Sequence, residues 1–188
     1  MSDPTVLAIS GSLRVDSYNT RLLRTAQSLN PGGMSIELYD RMGELPLYNQ
    51  DLDTDKPPSL VADLRRRIAR SDGVLIATPE HNASIPAALK NAVDWASRRI
   101  QDSRLTDKPI AIIGASPGPF GTIRAQAALR QMFASIGAHV ILKPEVAVPN
   151  SHQNFHNETL TDEYGRALLK ELLANLATTI HRQSRTGG

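Results

Sequence analysis

The most constraining feature of this chain is an apolar run that passes through a short polar loop into a helical segment. The run is GVLIAT at residues 73–78, and the loop is PEHNASIP at residues 79–86. The segment after the loop carries the only tryptophan, Trp95. A continuous apolar run of this length is typical of a parallel strand buried on both faces. Because ligands of open α/β sheets bind beyond the carboxyl ends of such strands, the loop is a candidate ligand site.

The same alternation of apolar runs and amphipathic segments continues along the chain. Predicted strands cover Thr5 to Ile9, Ser35 to Tyr39, Val74 to Thr78, Ile110 to Ala115 and His139 to Val146. Predicted helices cover Thr20 to Leu29, Ser59 to Ser71, Ile85 to Ile100, Thr122 to Ile136 and Asp162 to Gln183. Five strands separated by helices predict an α/β fold with a doubly wound, five-stranded parallel sheet between two helical layers.

Composition narrows the class of protein. The 188 residues show no shift that would mark a linker, so we expect one domain over residues 1–188, with residues 182–188 as a disordered polar tail. A net charge of +2 is too small to favour nucleic-acid binding. The absence of cysteine excludes disulfides and thiolate chemistry. The start of the chain resembles no secretory leader, and the longest apolar runs are of strand length, so we expect neither secretion nor a membrane span.

The loop after the first predicted strand is rich in hydrogen-bond donors. Its polar residues are Ser10, Ser12, Arg14, Ser17 and Asn19. Hydroxyls, a guanidinium and the free N–H groups of the following helix together suit a phosphate. The alternative is that Ser17 or Asn19 only caps the helix. Neither a GxGxxG nor a GxxxxGK[ST] motif is present, so a compact terminal phosphate fits better than a pyrophosphate or a nucleoside triphosphate.

The loops after the third and fourth predicted strands could hold a flat ring. Between two prolines, the first of these loops presents the polar side chains of Glu80, His81, Asn82 and Ser84. The alternative is an ordinary strand-to-helix turn in which Ser84 is the N-cap. The other loop offers Ser116, Pro117 and Gly118, where a glycine permits close approach of a ring edge, or forms a turn without a ligand.

Other residues favour simpler interpretations. Trp95 lies at helical spacing among apolar residues, which indicates core packing or a subunit contact. Lys90, Asn91 and Asp94 on the same segment could serve packing and loop anchoring. His152 and His156 have a spacing that could ligate a metal on a helix, but they lie in a loop-like stretch, so we predict no metal site.

These three loops resemble those of the NAD(P)H-dependent FMN reductase family of flavodoxin-like proteins. The first reads GSLRVDSYN, the second PEHNASIPAALKNAVDWASR, and the third combines Ser116-Pro117-Gly118 with Arg124-Ala125-Gln126 and Leu129-Arg130-Gln131. The motifs fall in the family's order and span roughly residues 5 to 146.

The resemblance implies roles for individual residues. Ser12, Arg14, Ser17 and Asn19 match positions around the FMN phosphate, with Ser10 in the same loop. Pro79 to Asn82 match the border of the isoalloxazine ring, Ser84 lies near it, and Ser116, Pro117 and Gly118 match its edge. The sequence departs from the family at His81, where tyrosine is usual, and at Thr122, which follows Gly121 where adjacent glycines are common.

The resemblance also implies a function. NADPH or NADH would reduce FMN, which would then reduce a small-molecule acceptor such as a quinone, another flavin, an azo compound or a metal oxyanion, without a dedicated catalytic side chain. It implies a cytoplasmic homodimer or homotetramer. One alternative is a flavodoxin-type electron carrier, against which the balance of 21 basic and 19 acidic residues argues, because a carrier needs a strongly charged docking face. The other is a non-catalytic flavin-binding interaction protein.

Overall fold

The apolar runs form the strands of one parallel sheet. A computed structural model describes residues 3–31, 33–98 and 103–186. The strands of the central sheet are β1 (Thr5–Ser10), β2 (Ser35–Tyr39), β3 (Gly73–Ala77), β4 (Pro109–Ala115), β5 (His139–Val140) and β6 (Val146–Val148). Their order is β2-β1-β3-β4-β5, and β6 also pairs with β4. The doubly wound parallel sheet predicted from the sequence is therefore confirmed.

Helices cover both faces of this sheet. They are α1 (Tyr18–Leu29), α2 (Ser59–Arg70), α3 (Ala87–Ser97), α4 (Ile123–Ile136), α5 (Ser151–Asn154) and α6 (Glu163–Thr186). Because successive strand residues point to opposite faces, Val6 and Ala8 pack with α1 and α6, whereas Leu7 and Ile9 pack with α2, α3 and α4. The result is the expected three-layer sandwich, in which β1, β3 and β4 are covered on both faces.

The fifth strand differs from the prediction. The sequence suggests one strand from His139 to Val146, but the structure contains β5 and β6 with an interruption between them. Five residues lie between the paired residues Val140 and Val146, opposite only two residues of β4. Pro144, which has no N–H to donate to a sheet, lies in this interruption. An apolar run with an internal proline therefore makes two short pairings.

The end of the chain is also more ordered than expected. Helix α6 continues to Thr186, so the disorder predicted from Arg182 onwards is wrong for residues 182–186. The last two residues, and the predicted end of α3 at Ile100, lie outside the described residues. Two short 3₁₀ helices (Met42–Glu44 and Gln50–Leu52) and an antiparallel pair, β7 (Phe155–His156) and β8 (Thr159–Leu160), complete the elements. None of the helices in the described ranges combines the length and apolarity needed to span a membrane.

Candidate functional site

Three loops meet at the carboxyl ends of β1, β3 and β4. We call residues 11–17 the first loop, residues 78–86 the second loop and residues 116–122 the third loop. The first loop is joined to β3 by the Gly11 N–H, which donates to the Ala77 carbonyl at 2.7 Å. A Cβ atom at Gly11 would lie 3.0 Å from Leu89 and 3.1 Å from Pro79, so the close approach of the first and second loops favours glycine.

Ser17 caps helix α1, as one reading of the sequence proposes. Its Oγ accepts hydrogen bonds from the N–H groups of Asn19 at 3.2 Å and Thr20 at 3.3 Å. Because both bonds use the oxygen as acceptor, the hydroxyl proton of Ser17 remains a donor. Ser10 and Ser17 are both buried, but Ser10 shares its hydroxyl with Thr20 at 2.9 Å. Capping and anion binding are thus compatible at Ser17, whereas Ser10 mainly fixes the end of β1.

The Asn19 side chain joins two elements of the fold, and its predicted place beside a phosphate stays a prediction. Its side-chain amide donates to the Ala115 carbonyl and accepts from the Ala115 N–H, each at 3.0 Å. The residue is only 3 % exposed. The side chain predicted to face a phosphate therefore already joins the first turn of α1 to the end of β4. This pairing fixes the helix N-terminus relative to the third loop.

The remaining polar groups of the first loop face solvent. Arg14 is exposed, and its guanidinium has no ion-pair partner among the described residues, since the neighbouring carboxylate of Asp16 lies 3.8 Å from Arg21. Ser12 Oγ accepts a long bond of 3.4 Å from the Arg14 N–H. An unpaired cation beside the N-terminus of α1 gives this loop a positive potential that favours an anion.

The tip of the second loop is a tight two-residue turn. His81 and Ser84 exchange two backbone hydrogen bonds of 2.9 Å, and Asn82 and Ala83 between them have φ values of 49° and 60°. Two successive positive φ values are typical of a type I′ turn. The prediction that Ser84 might cap a helix is therefore wrong, because α3 begins at Ala87 and has Pro86 as its N-cap. The four turn side chains are exposed.

Glu80 is directed away from the turn and towards helix α4. Its carboxylate accepts from the backbone N–H groups of Arg124 at 3.0 Å and Ala125 at 3.2 Å, and from the Arg124 guanidinium at 2.7 Å. The N-cap of α4, Thr122, makes no side-chain capping bond. Glu80, whose side chain is 8 % exposed, supplies the cap instead. The carboxylate thus joins the second loop to α4, and the expectation that Glu80 borders a cofactor, through its main chain, stays a prediction.

The third loop is supported from one side by the segment after β6. The Ser116 N–H donates to the Val148 carbonyl at 3.0 Å, and the Ser116 carbonyl accepts from the Ser151 N–H at 3.0 Å. The Gly118 carbonyl accepts from the Asn150 N–H at 3.1 Å. A Cβ atom at Gly118 would meet only Ser116 Oγ, at 3.7 Å, so the space beside this glycine is open.

Sequence reasoning missed Gly114, which controls how β4 meets the third loop. A Cβ atom there would lie 1.8 Å from Thr122 Oγ1 and 2.6 Å from the Thr78 carbonyl. Thr122, which is fully buried, occupies the space that the missing side chain leaves. Its hydroxyl accepts from Gln126 Nε2 at 3.1 Å. The family's usual second glycine is replaced here by Thr122, and the threonine side chain fits because Gly114 of β4 has no side chain of its own.

Comparison with known proteins identifies the family. Residues 4–153 match the family model described as NADPH-dependent FMN reductase. The chain belongs to this family. An NAD(P)H-dependent FMN reductase of Pseudomonas aeruginosa is 44% identical over 181 residues, covering 96% of this chain and 97% of the relative. A 2-hydroxy-1,4-benzoquinone reductase of a Burkholderia species is 39% identical over 173 residues, covering 92% and 90%.

A solved structure agrees with this assignment. The flavoenzyme NAD(P)H:(acceptor) oxidoreductase FerB from Paracoccus denitrificans superposes with a TM-score of 0.85 at 38% sequence identity, covering 95% of this chain and 98% of that one. The family resemblance, the flavodoxin-like fold and the assignment as an FMN-dependent oxidoreductase are thereby confirmed.

Within this family fold, α3 serves the core. Trp95 is completely buried, and its Nε1 donates to the Pro46 carbonyl at 2.7 Å. Ala92 and Ala96, one turn apart on α3, are 3 % exposed and pack in the same core layer, so neither is available to a second subunit. The Asn91 side chain donates to Pro46 and accepts from Tyr48. The interpretation of Trp95 and Asn91 as packing and anchoring residues is confirmed. Lys90 and Asp94 pair on the helix surface at 2.7 Å.

The two histidines of the C-terminal region lie in different elements. His152 is in the four-residue helix α5, and His156 is in β7. Across the described residues, no group of three or more histidine, cysteine, aspartate or glutamate side chains is placed to hold a metal ion.

The residues present fit FMN. The first loop combines the free Ser17 hydroxyl proton, the Ser12 hydroxyl and the unpaired guanidinium of Arg14, which is a donor set suited to a terminal phosphate. The second-loop turn follows β3, and the open space beside Gly118 follows β4. Because β1, β3 and β4 are neighbouring parallel strands, all three loops lie at the same edge of the sheet. A flat ring attached to that phosphate would lie across these strand ends.

Proposed function

We propose that the protein is a single-domain NAD(P)H oxidoreductase that uses FMN to reduce small organic or inorganic acceptors. The acceptor classes are quinones, other flavins, azo compounds and metal oxyanions. When bound, FMN takes a hydride from NADPH or NADH and passes the electrons on. The observation that carries the proposal is the first loop, where an unpaired arginine and a capping serine with a free hydroxyl proton follow the interior strand β1.

The first loop then binds and orients the cofactor. Arg14, Ser12 and Ser17 hold the phosphate, while Ser10 and Asn19 keep the loop and helix α1 in place from below. The guanidinium offsets part of the anion's charge, and the two hydroxyls donate hydrogen bonds to its oxygens. In this arrangement Arg14 should discriminate between FMN and riboflavin, because only FMN carries the phosphate.

The second and third loops position the ring. The main chain of Pro79 to Asn82 borders it, with Ser84 completing the turn, and Ser116, Pro117 and Gly118 face its edge. Because Glu80 fixes the second loop to helix α4, these two borders keep a constant spacing. No side chain has to move a proton, since binding, orientation and exclusion of water are sufficient for the protein's part.

A single ring face would have to serve both reactants in turn. We therefore propose ping-pong kinetics with loose acceptor specificity. The visible absorbance of the purified protein tests for the flavin, and steady-state NAD(P)H oxidation at several quinone concentrations tests the kinetics. Parallel double-reciprocal lines support the proposal, whereas intersecting lines would mean that both substrates bind together. A flavin spectrum without turnover would instead favour the electron carrier or the non-catalytic binding protein.

We also propose a cytoplasmic homodimer or homotetramer. The support is family membership and the exposure of Leu13, Val15, Leu47 and Ile123, which are large apolar side chains. Trp95, for which the sequence left a subunit contact open, gives no support, because it is buried in the protein's own core. Sedimentation at micromolar concentration tests the assembly. Activity that falls on dilution and returns on concentration would place subunit contact at the site, whereas a fully active monomer would remove the assembly from the mechanism.

A further inference from the structure

Phe120 is a large aromatic side chain displayed at the rim of the site without a role in the core. It lies in the third loop and is 62 % exposed. Its backbone is nevertheless held firmly. Pro119 precedes it, and Gly121 follows with a φ of 58° and packs so closely on β6 that a Cβ atom would lie 3.0 Å from the backbone of Ala147. A rigid backbone that presents an exposed ring loses little entropy when the ring binds a partner.

The ring is also supported from below. The guanidinium of Arg124 lies over it, with Cζ 5.4 Å from the ring centroid. That guanidinium is in turn held by the Glu80 carboxylate at 2.7 Å. Phe120 therefore lies beside the junction of the second and third loops. Since Arg124 covers one side of the ring and the side chain remains mostly exposed, the rest of the ring is open to a ligand.

The surroundings favour an apolar, flat ligand over a hydrated ion. Ile123, the first residue of α4 and three positions after Phe120, is 52 % exposed. The positive charge of Arg124 is compensated by Glu80 and so offers little to an anion. Aromatic faces bind other flat rings through stacking and apolar contact.

We propose that Phe120 is an aromatic wall of the reactant subsite and determines specificity for planar reactants, namely quinones and the nicotinamide ring. This inference rests on the proposed function and adds a substrate-contacting residue to it. Phe120 binds the flat ring of the reactant, Arg124 positions Phe120, and Glu80 positions Arg124. Compact inorganic acceptors make no use of this wall.

The test uses the FMN-loaded enzyme and its Phe120→Ala and Phe120→Tyr variants. The probe is 2-methyl-1,4-naphthoquinone, titrated by calorimetry into the oxidised enzyme, where no reaction occurs. We expect Phe120→Ala to weaken binding about tenfold, the effect of losing one aromatic contact with its buried area, and Phe120→Tyr to restore it. Tyr164→Ala is the matched control, because Tyr164 is an aromatic residue 73 % exposed at the start of α6.

Kinetics and stability complete the test. KM for the quinone should rise in Phe120→Ala by a similar factor. With ferricyanide as the acceptor, KM for NAD(P)H should rise as well, because the same ring binds the nicotinamide. FMN affinity should stay within about twofold of wild type, and the thermal midpoint should not change. An unchanged quinone Kd would overturn the proposal, as would an altered sedimentation coefficient with an unchanged Kd, which would assign Phe120 to a subunit contact. If the wild-type enzyme oxidises NAD(P)H with neither ferricyanide nor quinone, the proposed function itself fails, independently of Phe120.

Discussion

Apart from the Gly11 N–H, which donates to the Ala77 carbonyl, the first loop is held by hydrogen bonds between residues close in sequence. The Glu80 carboxylate of the second loop and the main chain of the third loop bond instead to residues far along the chain. Ser17 bonds to N–H groups two and three positions later, but Glu80 bonds to a helix that begins more than forty residues away. The tip of the first loop keeps an unpaired cation, while the cation of the third-loop region is neutralised. The first loop is thus open to an anion, and the other two form a rigid frame.

The largest expected effect comes from filling the space between β4 and the third loop. Gly114→Ala places a methyl group against Thr122 and the Thr78 backbone, neither of which can withdraw without disturbing the sheet. We expect a loss of about 3 kcal/mol or more in the free energy of unfolding, measured with urea. Gly118→Ala in the same region is the control, since its new methyl group would meet ordinary contact only. Equal losses in the two variants would contradict a rigid frame.

Much of the fold was accessible from the sequence, because strand and helix patterns are local. The sequence also showed that Ser17 could cap helix α1 or bind a phosphate. The partners of Glu80, Asn19 and Gly114 could not, since nothing in a single sequence shows which helix terminus lacks a cap or which strand needs a glycine. A hint existed at α4, where Thr122 and Ile123 begin a helix without an acidic residue in its first turn. An external carboxylate could have been sought there.

Loss of the Glu80 carboxylate tests the connection between the second and third loops. Glu80→Gln keeps the shape but presents an NH₂ donor to groups that are themselves donors, so we expect the free energy of unfolding to fall by about 2 kcal/mol. A double-mutant cycle with Arg124→Gln separates the ion pair from the helix cap. Glu163→Gln, at an exposed position in the first turn of α6, should change stability by only a few tenths of a kcal/mol. A similar small loss at Glu80 would mean that the two loops are independent.

Removal of the unpaired cation tests the first loop. Arg14→Ala should weaken FMN binding about tenfold to a hundredfold, because a charge-assisted hydrogen bond contributes roughly 1.5 to 3 kcal/mol. Riboflavin, which lacks the phosphate, should bind nearly as before, and flavin fluorescence titration measures both. Arg24→Ala is the control, since Arg24 on α1 already pairs with Glu158. Equal losses of FMN and riboflavin affinity would contradict the assignment of Arg14 to the phosphate.

His81 tests whether the second-loop turn faces the ring. His81→Tyr restores the residue usual in the family at an exposed position. An aromatic contact contributes about 1 kcal/mol, so we expect the ratio of kcat/KM between two quinones to change about fivefold, or the flavin midpoint potential to shift by the same free energy. FMN affinity should change less. If affinity changed and neither of the other two quantities did, the residue would belong with the phosphate loop.

The smallest effect comes from relieving backbone strain at Ala83. A non-glycine residue at a φ of 60° costs about 1 to 2 kcal/mol, and the extra freedom of glycine in the unfolded chain takes back roughly 0.5 to 1 kcal/mol. Ala83→Gly should therefore raise the free energy of unfolding by about 0.5 to 1 kcal/mol, read from the urea midpoint. Ala174→Gly, at an exposed position inside α6, should lower it by about 1 kcal/mol. A gain in the free energy of unfolding for Ala83→Gly and a loss for Ala174→Gly would show that the second loop holds Ala83 in a strained turn. A loss at both would mean that residues 81–84 adopt a relaxed turn in solution, and the border that they offer to a flat ring would have to be redrawn.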